Sequence, residues 1–125
     1  MGKRYLIDSN TLIEYVGKLL PLPSHTAISE IVDEEFNISF INKIEVLGHG
    51  SADIKLKNFI ALANIYDVNN NIIAQTIDLR KNFKIKIPDA IVGATALVYS
   101  LTLVTRNVSD FKNIPGLHLL NPWSI

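Results

Sequence analysis

The chain has 125 residues, 48% of them apolar and 19% charged, with its basic and acidic side chains in balance. That is the composition of a single globular domain over residues 1–125, and it excludes a disordered chain and a protein that is basic overall. Cysteine is absent, which argues against a disulfide scaffold and fits a reducing, cytoplasmic setting.

Short apolar runs alternate with helical patterns from end to end. Residues 4–8 read as a buried strand, and Asp8 interrupts the N-terminal apolar run too early for a signal core. Ser9 or Asn10 is placed to cap a helix over roughly 11–20, which Pro21 and Pro23 would end. Ser24 opens a second helical stretch to about Glu35, with Ala27, Ile28, Ile31 and Val32 at helical spacing. A strand is predicted over 37–40, then a helix from about Asn42 that carries Glu45 and breaks at Gly48 and Gly50. Ser51 and Asp53 open a helix to about Ile65, and residues 66–68 form a brief strand containing Asp67. Asn69 to Asn71 cap a helix from Ile72 to about Phe83. Pro88 and Asp89 start another helix, to Tyr99, with Ala90, Gly93, Ala94 and Ala96 on one side for close packing. A strand in LTLVT, a turn in SDFKNI and a last strand in LHLLN complete the chain. The longest uncharged run, Ala90 to Thr105, is too short to cross a bilayer. Strands alternating with helices predict an α/β fold around a parallel sheet.

Four acids stand at informative points of this pattern: Asp8 after the first strand, Glu45 on an early helix, Asp89 opening a late helix, and Asp110 after the late strand. Each has an ordinary explanation, as a helix cap, a solvated glutamate or a turn residue. Together they fall where open α/β sheets bind ligands, outside the carboxyl ends of the strands. Carboxylates gathered there repel one another unless a cation sits among them, and all-oxygen ligands suit Mg2+ or Mn2+. The reading is a metal-dependent enzyme acting on phosphates. Arg80, Lys81, Lys84 and Lys86 form the densest basic group, just before Asp89. Arg106 and Lys112 flank Asp110, and Lys55 and Lys57 form a smaller group. Each cation has a bland reading as part of a solvated face. His25, His49 and His118 lie apart from the acidic motifs and read as surface or packing residues. Ser9 has no accompanying Ser–His–Asp pattern, which argues against serine nucleophile chemistry.

These motifs resemble the PIN-domain ribonucleases, specifically the VapC-type toxins of toxin–antitoxin pairs, over essentially the whole chain. LIDSNTLIEY resembles the opening motif of the family, INKIEVLG its glutamate helix, IPDAIVGATAL its third motif, and LVTRNVSDF with LHLLNP its C-terminal signature. Gly93 stands in the third motif in place of an alanine. The resemblance implies a three-layer α/β/α sandwich around a short parallel sheet and cleavage of RNA phosphodiester bonds by an endoribonuclease using one or two Mg2+ or Mn2+ ions. Asp8, Asp89 and Asp110 would bind or orient the metal, and Glu45 would position water or complete a second metal site. Asn10 and Thr105 would orient the carboxylates, or else serve only as cap and turn residues. Many relatives carry aspartate two residues after the threonine, where this chain has Asn107. The charged Asp110 is favoured over the neutral Asn107 as the fourth ligand. Arg80, Lys81, Lys84, Lys86 and Arg106 are the candidate RNA-binding cations.

The resemblance also implies a homodimer and a cognate antitoxin docking over residues 11–32, on whatever part of Leu12, Tyr15, Val16, Leu19, Leu20, Ile28, Ile31 and Val32 the core leaves exposed. No membrane association is expected. Two alternatives stand beside this reading. One is a PIN-like interaction module with weakened catalysis, which the Asn107 departure keeps open. The other is a magnesium-binding phosphoacceptor domain, disfavoured because LIDSN carries one acid where paired acids are usual, Asp67 would lie inside a strand, and no lysine follows the last strand in the right way.

Overall fold

The computed structural model describes residues 2–50 and 52–125. It contains five short parallel strands. In β1 (Tyr5–Ile7), β4 (Thr102–Val104) and β5 (Leu119–Leu120) the order is β1-β4-β5, with Leu6 opposite Leu103 and Ile7 opposite Val104. In a second pair, β2 (Asn37–Ser39) lies beside β3 (Asn64–Tyr66). β2 packs along β1, where Asn37 Nδ2 donates to the Tyr5 carbonyl at 3.0 Å. The strands thus run across the molecule as β3-β2-β1-β4-β5.

Side chains alternate across a strand, so strands such as β1, β4 and β5 each feed two cores. Leu6 and Leu103 face one core, built with α5 (Asn70–Asn82), α6 (Ile87–Tyr99) and Phe111 of α7 (Val108–Phe111). Ile7, Val104 and Ile38 face the other, built with α1 (Ser9–Val16), α2 (Leu22–Glu34), α3 (Phe40–Leu47) and α4 (Ile54–Ile60). Helices cover both faces of the strands, which is the layered α/β architecture expected. Each fully buried Leu or Ile contributes about 1.5–3 kcal/mol of transfer free energy, so the paired strand residues anchor both layers at once.

Several boundaries differ from the sequence reading, each for a local physical reason. Asp8 itself caps α1, accepting from the Ser9 amide, in place of Ser9 or Asn10. α1 ends at Gly17, and Lys18 follows with φ +56°, so the turn comes well before Pro21. Pro21 is the N-cap of α2 and Pro23 lies in its first turn, where a missing N–H costs no helical hydrogen bond. The prolines therefore start the second helix instead of ending the first. Phe40 begins α3 and is not in the strand, because Ser39 caps that helix in a reciprocal box with Asn42. α4, capped by Asp53, stops at Ile60, and the next strand comes two residues earlier than predicted. Asp67 consequently lies after β3 and not inside it, and the strand-position argument against a phosphoacceptor falls away. The expected contribution of Ser51 to the start of α4 lies outside the described residues. A short 3₁₀ turn, Pro122–Ser124, closes the chain and was not foreseen.

Candidate active site

The order β3-β2-β1-β4-β5 changes direction between β1 and β4. The chain leaves β1 towards β2 and β3 on one side and returns as β4 and β5 on the other. Such a switch opens a crevice at the carboxyl ends of the two central strands. Asp8 follows β1 and Thr105 follows β4, so the first and last motifs meet there.

Asp8 is only 6% exposed. Oδ1 accepts from the Ser9 amide at 2.9 Å and from Asn42 Nδ2 at 3.3 Å, and Oδ2 accepts from Thr105 Oγ1 at 2.8 Å. Burial pushes the Asp8 carboxyl up, and the bonds from Thr105, Ser9 and Asn42 pull it back. Thr105 in turn accepts from the Asn107 amide at 3.1 Å, which ties the loop after β4 to the same carboxylate. Glu45 is exposed on α3, and its Oε1 accepts from Ser9 Oγ at 2.7 Å. Asn42 Nδ2 also donates to Ser9 Oγ at 3.0 Å, while its Oδ1 holds the Ser39 amide at 2.9 Å. One hydrogen-bonded chain therefore runs from Asn107 through Thr105, Asp8, Asn42 and Ser9 to Glu45.

Asp89 sits in the first turn of α6, where the helix N-terminus favours a negative charge. It is half-buried, and its carboxyl is nevertheless pushed up to about 6, by burial first and then by the charges of Asp8, Asp110 and Glu45, with Lys86 opposing. All four predicted acids thus share one electrostatic neighbourhood. A cavity of about 330 Å³ opens beside them, lined by Lys84, Ile85, Lys86, Asp89, Asn107 and Asp110. Asn107 and Asp110 both face it, and the Asn107 side chain makes no capping bond on α7.

The other predicted residues are distributed unevenly. Thr105 bonds Asp8 directly, whereas Asn10 is exposed and makes no hydrogen bond to an acid among the described residues. Of the basic group, Lys84 and Lys86 line the cavity, Lys81 is exposed on α5, and Arg80 donates to the Ile85 carbonyl at 2.6 Å. Arg106 pairs with Glu14 at 2.9 Å and lies 4.5 Å over the Trp123 ring. Trp123 Nε1 donates to the same Glu14 at 3.0 Å, so Arg106 is engaged on α1. His25 stacks on Tyr15 at 4.5 Å, and His49 and His118 are exposed away from the cavity lining.

Two residues that hold the site together escaped the sequence reading: Ser9 as the link to Glu45, and Asn42 as a donor to Asp8. The signal for Asn42 was present. Ser39 and Asn42 have capping-box spacing, which turns the Asn42 side chain back over the end of β2.

Among the described residues no three Asp, Glu, His or Cys side chains close into a ready-made metal cage. The donor set nonetheless fits a hard divalent cation. It is all oxygen, it carries four acids, and Asp89 is held towards its neutral form by burial first and then by the charges of the other three. A cation placed among them would remove that repulsion.

A family model of the PIN domain matches residues 5–117. Among solved structures, the chain is similar to a toxin–antitoxin complex from Klebsiella pneumoniae, at 30% identity and a TM-score of 0.77, over 97% of this chain and 99% of that one. It is similar to VapBC2 from Rickettsia felis bound to a DNA fragment from their promoter, at 26% identity and a TM-score of 0.76, over 94% and 97% of the two chains. FitAcB from Neisseria gonorrhoeae shares the fold, with 24% identity, a TM-score of 0.76 and coverage of 97% and 99%. No curated protein matches the sequence.

Proposed function

The chain belongs to the PIN-domain family, and from that premise we propose that it is a metal-dependent endoribonuclease, the VapC-type toxin of a toxin–antitoxin pair. The observation that carries the reading is that Asp8 and Thr105, bonded to each other, stand at the carboxyl ends of β1 and β4, while Asp89 and Asp110 line one cavity and Asp89 feels the charges of Asp8 and Glu45. Asp8, Asp89 and Asp110 would hold Mg2+ or Mn2+, as one or two ions, with Asn107 available as a neutral oxygen beside Asp110. Such an ion, when bound, lowers the pKa of its water and offsets charge on the scissile phosphate.

The chain's own residues do the positioning. Thr105, Asn42 and the Ser9 amide fix both oxygens of Asp8, so this carboxylate needs little reorganisation to bind a ligand. Ser9, next to Asp8, holds Glu45 by a hydrogen bond, and from there Glu45 would orient or accept a proton from an attacking water. Lys84 and Lys86 bring positive charge to the cavity wall, which draws in an RNA backbone that the acids alone would repel. Lys81 would extend this field over the surrounding surface, whereas Arg80 would serve it through its bond to the Ile85 carbonyl and the charge of Arg106 is offset by Glu14.

The complexes found for similar proteins support a cognate antitoxin for this chain. Leu12, Leu20 and Ile28 are buried in the core, but Leu19 and Leu22 are 63% and 77% exposed. Leu19 edges a groove of about 420 Å³ with Ile13, Val16 and Leu56 between α1 and α4, which suits an apolar partner segment. A separate apolar hollow formed by Phe40, Val68, Ile73, Ile77 and Ile91 is the surface proposed for a homodimer. No helix among the described residues is long and apolar enough to cross a membrane. An RNA substrate and the lack of cysteine support a cytoplasmic setting. The reading treats residues 1–125 as one domain, with both cores sharing the central strands.

The test is cleavage of mixed cellular RNA by the purified chain with Mg2+ or Mn2+, beside the Asp89→Asn variant. Cleavage that stops with EDTA and is absent from the variant supports the reading. Equal cleavage in excess EDTA, or by the variant, overturns it.

A further inference from the structure

The basic segment before Asp89 is divided by the fold into side chains with different work. Residues 83–86 form a strap between α5 and α6, with Phe83 and Lys86 in extended conformation. Ile85 is buried at 5% exposure and packs into the core with Leu79 and Phe111, while Lys84 and Lys86 on either side of it are exposed and line the site cavity. Neither lysine forms an ion pair among the described residues. Their charges are therefore available to a ligand. Arg80 is committed differently. Its Nη1 donates to the Ile85 carbonyl at 2.6 Å, so it grips the middle of the strap from the last turn of α5.

We infer that Lys84 and Lys86 form a subsite for a backbone phosphate adjacent to the one being cleaved, and that Arg80 is a positioning residue acting through the Ile85 carbonyl. The inference rests on the nuclease reading and refines it. The cavity is lined by the cations Lys84 and Lys86 together with the acids Asp89 and Asp110. A nucleic-acid strand carries a charge at every nucleotide, so a strand delivering one phosphate to the acids must place a neighbouring phosphate nearby. The two lysines meet that charge. A strap with one buried side chain and a loose middle would swing the lysines out of register. The Arg80 bond, together with the Phe83 amide on Leu79 and the Ala90 amide on the Lys86 carbonyl, holds it at the centre and both ends. Lysines bind phosphate as point charges, so this subsite adds affinity without reading bases.

The experiment measures binding of a fluorescent single-stranded RNA oligonucleotide in EDTA at three salt concentrations. It compares wild type, Lys84→Gln/Lys86→Gln, Arg80→Met, and the three substitutions combined. The double lysine variant should lower the slope of log K against log salt by about 0.7, the value for the one phosphate contact the subsite makes. Arg80→Met should weaken binding in the wild-type background and add almost nothing in the lysine background, because a positioning residue acts only through what it positions. In Mg2+ the lysine variant should raise KM several-fold with kcat nearly unchanged. The lysines are exposed, so these variants fold. An unchanged salt slope in the lysine variant overturns the subsite, and a full additive loss from Arg80→Met in that background overturns its positioning role. The nuclease reading fails separately: wild type would bind RNA with the lysine-dependent slope and yet cleave nothing in Mg2+ or Mn2+.

Discussion

Thr105 Oγ1 donates to Asp8 Oδ2 at 2.8 Å, joining residues 97 positions apart in sequence. The bond fastens the carboxyl end of β4 to that of β1, and the same hydroxyl accepts from the Asn107 amide. Thr105→Val keeps the shape but leaves a buried carboxylate oxygen and a backbone N–H without partners. An unsatisfied buried group costs about 1–3 kcal/mol. Thr105→Val should lower thermal stability by that order and reduce cleavage strongly. Thr105→Ser should restore most of both. Equal behaviour of Val and Ser variants in a melting and cleavage comparison would remove Thr105 from the site.

Asp8→Asn and Asp89→Asn should both abolish cleavage, yet move stability in different directions. Asp89 is half-buried among three other acids, and the amide relieves that repulsion. The metal-free Asp89→Asn protein should melt higher than wild type. Asp8 accepts from three donors using both oxygens, so an amide presents an N–H to a donor on one side. Asp8→Asn should melt no higher than wild type and, by the cost of a broken buried bond, about 1 kcal/mol lower. Calorimetry in EDTA checks the order. If Asp8→Asn proves the more stable of the two, the hydrogen-bond argument is wrong.

Much of this molecule was legible because its signals are local. The apolar runs at 5–7 and 102–104 and the acids that follow them follow from strand burial and from the siting of ligands at strand ends. Asp89 was legible as an opening-turn acid on α6. What failed to show was decided by tertiary pairing or by competing local signals. Pro21 and Pro23 read equally as a stop for one helix or a start for the next, and the left-handed turn at Lys18 settled it. The apolar stretch after Asp53 gave no stop signal, and the pairing of Asn64–Tyr66 with β2 took residues that helical spacing had claimed. Nothing in sequence separates a lysine that lines a cavity from an arginine that grips a backbone carbonyl, because both lie in one charged run. The Arg106–Trp123–Glu14 cluster depends on a chain end folding back onto α1, a contact with no periodic signature.

Gly93 was expected to be required for close packing, and the structure gives it more room than that. A Cβ built there would meet Leu79 Cδ1 at 3.5 Å and Phe111 Cε1 at 3.6 Å, which is ordinary van der Waals contact. Gly93→Ala should therefore raise stability by about 1 kcal/mol, through helix propensity and a less flexible unfolded chain. Urea melts of the pair give the value. A loss of stability would mean that α6 sits closer to α5 and α7 than these distances allow.

The pH dependence of stability in the metal-free protein follows from three carboxyls, two raised and one lowered. Asp89 is raised to about 6 in the fold from an ordinary value of 3.8, so between those values the folded state binds the proton that the unfolded state releases. Its contribution therefore improves as pH falls from 7 through 6 and is complete near 4. Asp8 is raised as well, by burial, and adds to the same trend. Glu35 is lowered by its bonds from Arg4 and Asn37, so its contribution is present above 4.5 and fades as pH drops below that value. Because Glu35 and Arg4 lie at the surface, this second effect is small. In EDTA, the melting temperature should climb as pH is lowered from 7.5 to about 4.5 and then level off, with a small loss from Glu35 below that. Asp89→Asn should flatten most of the climb while leaving the acid limb in place. A wild-type melting temperature that falls steadily from pH 7.5 to 5 would show that the four acids are not close enough to oppose one another, and the argument for a cation among them would lose its electrostatic basis.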